Sequence, residues 1–429
     1  MKLTLTAFKN NNLSIILSLI VSLLCFNGCQ SIVNSEEYQE LATNHSSENT
    51  PAKAISKKDE YTVAAYYWPS MHDDPLWRPF FQGDTIGEWK VIKNAKPKFE
   101  GHYQPRVPLW GYEMEDHPKV MAKKIDAAVS HGVNCFIFDW YWYDNKPFLE
   151  GAINNGFLKA NNVDDIDFYL MWANHDIANF WDITISHLKR HSLKPGFVDF
   201  ETFKVIVDRV ISKYMMHPSY YKIDGAPVFS IFHLSNFVKG MGSIKEARNA
   251  LDYFDQEAIK AGFPGIHFQA IYRSRYTYEI GKNAPFYVLN DKNIEELGID
   301  STTPYQYTML SKPVDNYRDW ADKALAICSN IEANTKVPFF PHVSIGWDNN
   351  PRFVQSVVKP VVKENVNPAV FKEYLLRVKD YADAHPKQPK LITINSWNEW
   401  VEGSYLEPDE RFGYGYLEAV KAIFKPLDN

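Results

Sequence analysis

NCFIFDWY (Asn134–Tyr141) is apolar and aromatic almost to its end, and there it stops on Asp139, Trp140 and Tyr141. Aromatic and β-branched side chains without polar alternation suit a strand covered on both faces, as in a parallel sheet. Similar runs lie on either side: TVAAYYW (Thr62–Trp68) before it, then DFYLMWAN (Asp167–Asn174), PVFSIFH (Pro227–His233) and IHFQAIY (Ile266–Tyr272). TPYQY (Thr303–Tyr307), FFPHVSIGW (Phe339–Trp347) and LITINSW (Leu391–Trp397) complete a set of eight. Helix-like segments separate them, including Pro118–His131, Glu201–Met215, Ile244–Ala261, Asp315–Ala333, Pro368–Ala384 and Gly415–Phe424. Eight β-then-α units predict an α/β fold, a single (β/α)8 TIM-type barrel with enlarged βα loops. A doubly wound sheet is the alternative, but no glycine-rich phosphate loop follows an early strand.

The strand ends carry the functional signal. Asp139-Trp140-Tyr141 closes the second run, Trp172-Ala173-Asn174-His175 the third and His233 the fourth. Tyr272-Arg273, Trp347-Asp348-Asn349 and Asn398-Glu399-Trp400 close the fifth, seventh and eighth. In a barrel these ends converge on one face, where such enzymes build their sites.

Composition narrows the chemistry. The 429 residues include 12 Trp, 25 Tyr and 27 Phe, enough apolar area to exclude a disordered chain. A formal charge of −6 gives no global basic field for nucleic acid. Aromatic faces stack on sugar rings, while Asn, Asp, Glu and His bind hydroxyls, so abundant aromatics beside polar strand ends point to carbohydrate. No HExxH pattern or paired ligand spacing suggests a metal, and no cofactor is expected.

The chain starts with a basic segment containing Lys2 and Lys9, followed by the apolar run Leu13–Phe26 and then Gly28-Cys29. That run is short for a membrane span and fits a secretory signal. A small residue before Cys29 predicts a bacterial lipoprotein signal over 1–28, with Cys29 lipidated; an ordinary cleaved signal is the alternative. Residues 29–60 read as the lipidated cysteine and a flexible polar tether, and 61–429 as the catalytic domain. The expected location is the cell envelope, anchored by lipid to the outer membrane and facing the periplasm or the surface.

The densest chemistry is WNEWVEGSYLE (Trp397–Glu407). Glu399 and Glu402 are three residues apart and precede Gly403, which permits a turn that aims both carboxyls into one cavity. Two acids in a Trp-lined pocket cannot both ionise cheaply, so one keeps its proton. That is the pairing that glycosidic cleavage uses.

With FEGHYQPRVP (Phe99–Pro108), FDWYWY (Phe138–Tyr143), MWAN (Met171–Asn174), GWDNNPR (Gly346–Arg352) and WNEWVEGSYLEPD (Trp397–Asp409), the chain resembles the WbsX-type, glycoside hydrolase family 99-like domain from about Tyr61 to Phe424. Family 99 proper contains retaining, metal-independent endo-α-mannosidases and endo-α-mannanases on a (β/α)8 barrel. The resemblance implies Glu399 as general base toward a sugar 2-hydroxyl, giving a 1,2-anhydro sugar, and Glu402 as general acid/base. Val401 stands where the mannosidases typically carry His, and His175 where many WbsX-type sequences carry Glu, so mannose specificity is not implied.

The remaining candidates are substrate-binding. Asp139, Trp140 and Tyr141 close one strand, and Asn174 another; His102 and Gln104 lie in the loop after the first strand. Trp347 and Asp348 offer a stacking platform and a hydroxyl acceptor; Tyr305, Trp397 and Asn398 complete the set. The expected partner is an oligosaccharide or polysaccharide, with the membrane met only through the lipid. Three rival readings stand beside the two-glutamate hydrolase: a WbsX-type glycosyltransferase, a non-catalytic glycan-binding lipoprotein, and an ordinary retaining hydrolase with Asp139 as nucleophile and Glu402 as acid.

Overall fold

A computed structural model of the chain describes residues 60–425 apart from 274–275, 279–286 and 290. The expected leader, Cys29 and most of the tether lie outside the described residues. Among the described residues, eight parallel strands form the barrel: β1 Thr62–Tyr67, β2 Cys135–Tyr143, β3 Asp167–Trp172, β4 Ala226–Ile231, β5 His267–Ile271, β6 Ser301–Thr303, β7 His342–Ser344 and β8 Leu391–Asn395. They follow one another around the sheet, β1 pairing with both β2 and β8. Between β6 and β7 the ring closes through Thr302, whose N–H donates to Pro338 O (2.9 Å) and whose carbonyl accepts from Phe340 N (2.8 Å). This is the predicted (β/α)8 barrel.

Helices α1 Pro118–Ser130, α2 Phe200–Val210, α3 Ile244–Lys260, α4 Tyr317–Asn334, α5 Pro368–Ala384 and α6 Gly415–Phe424 lie on the outside of this alternation. Their ends have local causes. Ser243 accepts from Glu246 N to start α3, and Asn367 accepts from Val370 N just before Pro368 opens α5. Three short helices that periodicity did not reveal, Trp89–Asn94, Leu234–Met241 and Asp291–Leu297, sit within the βα loops. Among the described residues no helix is long and apolar enough to cross a membrane.

Two strands differ from expectation. The sixth ends at Thr303 rather than Tyr307, because Pro304 brings no N–H to continue the ladder. Tyr305 thereby turns into the barrel mouth. The seventh is confined to His342–Ser344, and Ile345–Trp347 leave the sheet. The barrel interior is also more polar than the apolar runs suggest. Thr393 Oγ1 meets both Thr303 Oγ1 and His342 Nδ1 at 2.9 Å, and Tyr169 OH donates to Gln269 Oε1 at 3.1 Å. These hydrogen bonds pair most of the groups named, as a low-polarity interior requires, while Gln269 Nε2 is left without a partner among the described residues.

A second buried network holds the loop after β8. Lys124 of α1 lies 2.6 Å from Glu115 Oε1 and 2.5 Å from Glu407 Oε1, all three buried. Asn398 Nδ2 donates to Glu115 Oε1 (2.8 Å) and Trp68 O (2.7 Å), and Asn398 Oδ1 accepts from Trp68 N (2.8 Å). Trp400 Nε1 donates to Glu407 Oε2 at 2.6 Å. Removing the cation would leave two buried carboxylates uncompensated. Lys124→Met is therefore expected to lower the unfolding free energy by about 3–5 kcal/mol, read from urea denaturation at pH 7.

Candidate active site

The site is assembled from the ends of β2 and β8 and the loops after β1, β6 and β7. Along β2, successive side chains point to opposite faces. Asp139 and Tyr141 line a cavity of about 710 Å³ at the barrel mouth, whereas Trp140 turns away and donates from Nε1 to Glu150 Oε1 at 2.8 Å. After β8 the chain makes a compact excursion. Asn398–Glu399 pairs antiparallel with Ser404–Tyr405, and Trp400–Glu402 forms one 3₁₀ turn between them. Gly403 closes the turn at φ +65°, where a Cβ would also meet the Arg106 side chain at 2.7 Å. Glu399 N donates to Ser396 Oγ at 2.8 Å, and Trp400 stacks on Tyr405 with ring centroids 3.8 Å apart. This geometry sends both Glu399 and Glu402 into the same cavity.

Tyr305 sits between two acids. Its hydroxyl lies 2.9 Å from Asp139 Oδ2 and 3.0 Å from Glu399 Oε1. A phenol has one proton to donate, so good hydrogen bonds to both carboxyls require one of them to carry a proton of its own. Asp139 Oδ1 and Glu399 Oε2 are buried with no other hydrogen-bond partner among the described residues. Burial raises the Asp139 carboxyl well above its ordinary range, offset in part by Tyr305 and reinforced by the charge of Glu402. Burial, then the neighbouring Glu402 charge, does the same to Glu399.

Arg352, from the loop after β7, supplies the positive charge. Its NH1 lies 2.5 Å from Glu402 Oε1, its Nε donates to Glu88 Oε1 at 3.1 Å, and its NH2 is 3.9 Å from Glu399 Oε2. Burial also raises Glu402, but the guanidinium opposes this directly and favours its carboxylate. Glu88 is fixed in turn by Trp68 Nε1 at 2.5 Å and Ser70 Oγ at 3.1 Å. The arrangement can hold one carboxyl protonated beside one ionised, which acid/base chemistry needs.

Other expected residues lie elsewhere. Trp347 and Tyr305 line the cavity, but His102, Gln104 and Asp348 form a separate buried cluster, with His102 Nε2 and Gln104 Nε2 each 2.8 Å from Asp348 Oδ2. Burial works against the Asp348 carboxylate, yet His102 and the charge of Arg106 hold it below its ordinary range. Asn174 ties strand ends together, accepting from His233 N (2.7 Å) and donating to His233 O (3.1 Å). Asn398 is occupied by Trp68 and Glu115, and Trp397 is fully buried against Phe136. Sequence reasoning passed over Arg352, although it ends the quoted GWDNNPR stretch, and over Glu88, Trp68 and Trp181. Among the described residues no group of three or more His, Cys, Asp and Glu side chains is arranged to hold a metal ion.

The family model described as glycosyltransferase WbsX matches residues 63–420, and the chain belongs to that family. It is 26% identical over 376 residues to the uncharacterized protein WxcX of Xanthomonas campestris pv. campestris strain B100, and equally to that of strain ATCC 33913. Each match covers 84% of this chain but 49% of the relative, so the chain spans about half the length of these curated relatives. A structure described as a glycoside hydrolase-like protein aligns with a TM-score of 0.52 at 15% identity, over 85% of this chain and 94% of that one. The GH99 endo-α-mannosidase from Bacteroides thetaiotaomicron aligns at a TM-score of 0.49 and 14% identity, over 84% and 95%. These comparisons establish the WbsX family and the barrel fold.

The raised Glu399 carboxyl carries a stability signature. Between its ordinary value of 4.5 and its higher folded value, the folded chain binds more protons than the unfolded one, so this group costs stability as pH rises. Glu399→Gln removes the ionisable group. Its midpoint of thermal unfolding is expected to match wild type near pH 4 and to exceed it increasingly from pH 5 to pH 8, as scanning calorimetry would record.

Proposed function

We propose that the protein is a glycoside hydrolase that cleaves an oligosaccharide or polysaccharide with retention, using Glu399 and Glu402 as its catalytic pair. The observation that carries this reading is the cluster of buried Asp139 and Glu399 with half-buried Glu402, all three on the wall of an aromatic-lined cavity of about 710 Å³. Trp68, Tyr141, Trp181 and Trp347 line it, and Trp347, the one of these that is not buried, is placed to stack on a sugar. On the route implied by the family 99 resemblance, Glu399 takes the proton of the 2-hydroxyl, whose oxygen displaces the leaving group at the anomeric carbon, while Glu402 protonates that leaving oxygen. Water then opens the 1,2-anhydro sugar. In the resting cavity the proton is favoured on the Asp139–Glu399 side and Glu402 is held by Arg352. This route therefore requires a proton to pass toward Glu402 when the sugar binds.

The ordinary retaining alternative asks Asp139 to attack and Glu402 to donate. It needs an ionised Asp139 and a proton on Glu402, the same kind of shift from the resting charges that the first route needs, so the resting charges do not separate the two. The transferase reading is supported by the family's name and by cationic side chains on another part of the cavity wall. It predicts sugar transfer from a nucleotide donor instead of release to water.

A panel of bacterial, fungal, plant and host glycans, followed by mass spectrometry, tests the hydrolase. Saccharides are expected to be released by wild type, with a loss of at least about 10²-fold in both Glu399→Gln and Glu402→Gln, the scale of acid/base removal. Release that survives both substitutions would defeat the assignment. On an aryl glycoside of the cleaved sugar, whose leaving group needs no proton, Glu402→Gln is expected to recover activity and Glu399→Gln is not.

We also propose that Cys29 anchors the chain by lipid to the outer membrane. Labelled palmitate is expected to be incorporated in cells making wild type and lost with Cys29→Ala.

A further inference from the structure

The cavity is divided by charge. Asp139, Glu399 and Glu402 come from the ends of β2 and β8, whereas the loops after β3, β4 and β5 contribute Arg190, Lys239 and Arg273 to its lining. Each of these cations lies against an aromatic ring: Arg190 over Phe180 at 5.0 Å, Lys239 over Phe197 at 4.5 Å and Arg273 over Phe232 at 4.6 Å. For Arg190 and Lys239 such stacking supports the guanidinium plane or the aliphatic stem while leaving the charge able to meet a ligand. Neither Arg190 nor Lys239 has a carboxylate partner among the described residues. Asp176, which also lines this part of the cavity, accepts from Gly196 N at 2.9 Å and Asn236 Nδ2 at 3.4 Å.

The cations act on one another's surroundings. Burial, then the charges of Arg273 and Arg190, lowers His175 to about 4, with a backbone contact to Asp176 opposing. His233, at the start of the Leu234–Met241 helix, is lowered by burial and next by Arg273. With both imidazoles neutral, they can donate or accept hydrogen bonds at this wall without adding charge. A concentrated positive wall inside a chain of net charge −6 is not a consequence of overall composition.

We infer that the glycan is an acidic one, whose uronate, sulfate or phosphate group lies against the Arg190–Lys239–Arg273 wall while its scissile bond lies over Glu399 and Glu402. The second half of this statement rests on the hydrolase reading. The first does not. Separation of the two arcs has a chemical advantage: the substrate's own anion is held by the cations, away from carboxyls whose proton sharing would be disturbed by another negative charge. Three cations spread over consecutive strand ends, each beside a ring, match a chain of sugars bearing anions. A nucleoside diphosphate would more simply be met by a glycine-rich loop.

Affinity electrophoresis of the full chain in gels containing paired polymers tests this. The pairs are polygalacturonate and its carboxyl-reduced form, dextran sulfate and dextran, and phosphomannan and its dephosphorylated form. They separate carboxylate, sulfate and phosphate as the source. One anionic polymer is expected to bind at least about tenfold more tightly than its neutral partner, the value of one charge-assisted contact. This preference should weaken with added salt. It should be lost in the triple variant Arg190→Gln/Lys239→Gln/Arg273→Gln and kept in Glu399→Gln. Equal retardation in every pair, or a preference that survives the triple variant, would overturn the inference. So would binding of UDP-glucose that the triple variant abolishes and that displaces the polymer, because the wall would then hold a donor diphosphate. Selective binding without cleavage of any polymer would leave acidic-glycan recognition standing while defeating the hydrolase reading.

Discussion

A single buried guanidinium, Arg352, faces three carboxyl groups: Glu88 at 3.1 Å, Glu402 at 2.5 Å and Glu399 at 3.9 Å. Asp139 joins the same cluster through Tyr305. One positive charge cannot balance four negative ones, three of them buried and Glu402 half-buried, and ions removed from water are costly unless matched. Retained protons are the cheaper answer. Because Arg352 is closest to Glu402 and Glu88, the uncompensated side of the cluster is Asp139 and Glu399. The asymmetry that acid/base chemistry needs is therefore a result of where one guanidinium sits, and the tight turn at Gly403 holds the two glutamates close enough to feel it.

The barrel makes that placement possible. Asp139 is delivered by β2, Glu399 and Glu402 by the excursion after β8, and Arg352 by the loop after β7, so residues distant in sequence arrive at one mouth. The buried Lys124–Glu115–Glu407 network locks the β8 loop to α1 and, through Asn398, to the end of β1. The same topology sorts charge around the rim. Acidic groups gather where β8, β1 and β2 adjoin, and cations gather over β3 to β5. A glycan crossing the mouth meets both in one binding event.

Most of the architecture was legible because six barrel strands are contiguous and largely apolar, whereas β6 (Ser301–Thr303) is polar and meets the expected sixth run only at Thr303. Glu399 and Glu402 were legible because one turn keeps them local. Neighbouring polar residues were harder to sort. Trp140 and Tyr141 are adjacent in sequence but face opposite sides of β2, and period two alone does not say which side is the cavity. Asn174 and Asn398 resemble sugar ligands at strand ends, yet both are consumed in tying backbone segments together. The pairing of Arg352 with Glu88 spans 264 positions and has no local signature. Pro304 shows the reverse case: its missing N–H ends β6 early and brings Tyr305 to the two acids it bridges.

The central claim is that the Asp139–Glu399 side of the cluster holds a proton at neutral pH while Glu402 does not. Infrared difference spectra between wild type and each of Asp139→Asn, Glu399→Gln and Glu402→Gln at pH 7 measure this most directly. The account predicts that a protonated-carboxyl stretch present in wild type is lost on replacing Glu399 or Asp139, and that replacing Glu402 removes only carboxylate bands. A spectrum in which all three groups contribute carboxylate bands alone, or in which Glu402 carries the proton, would contradict it.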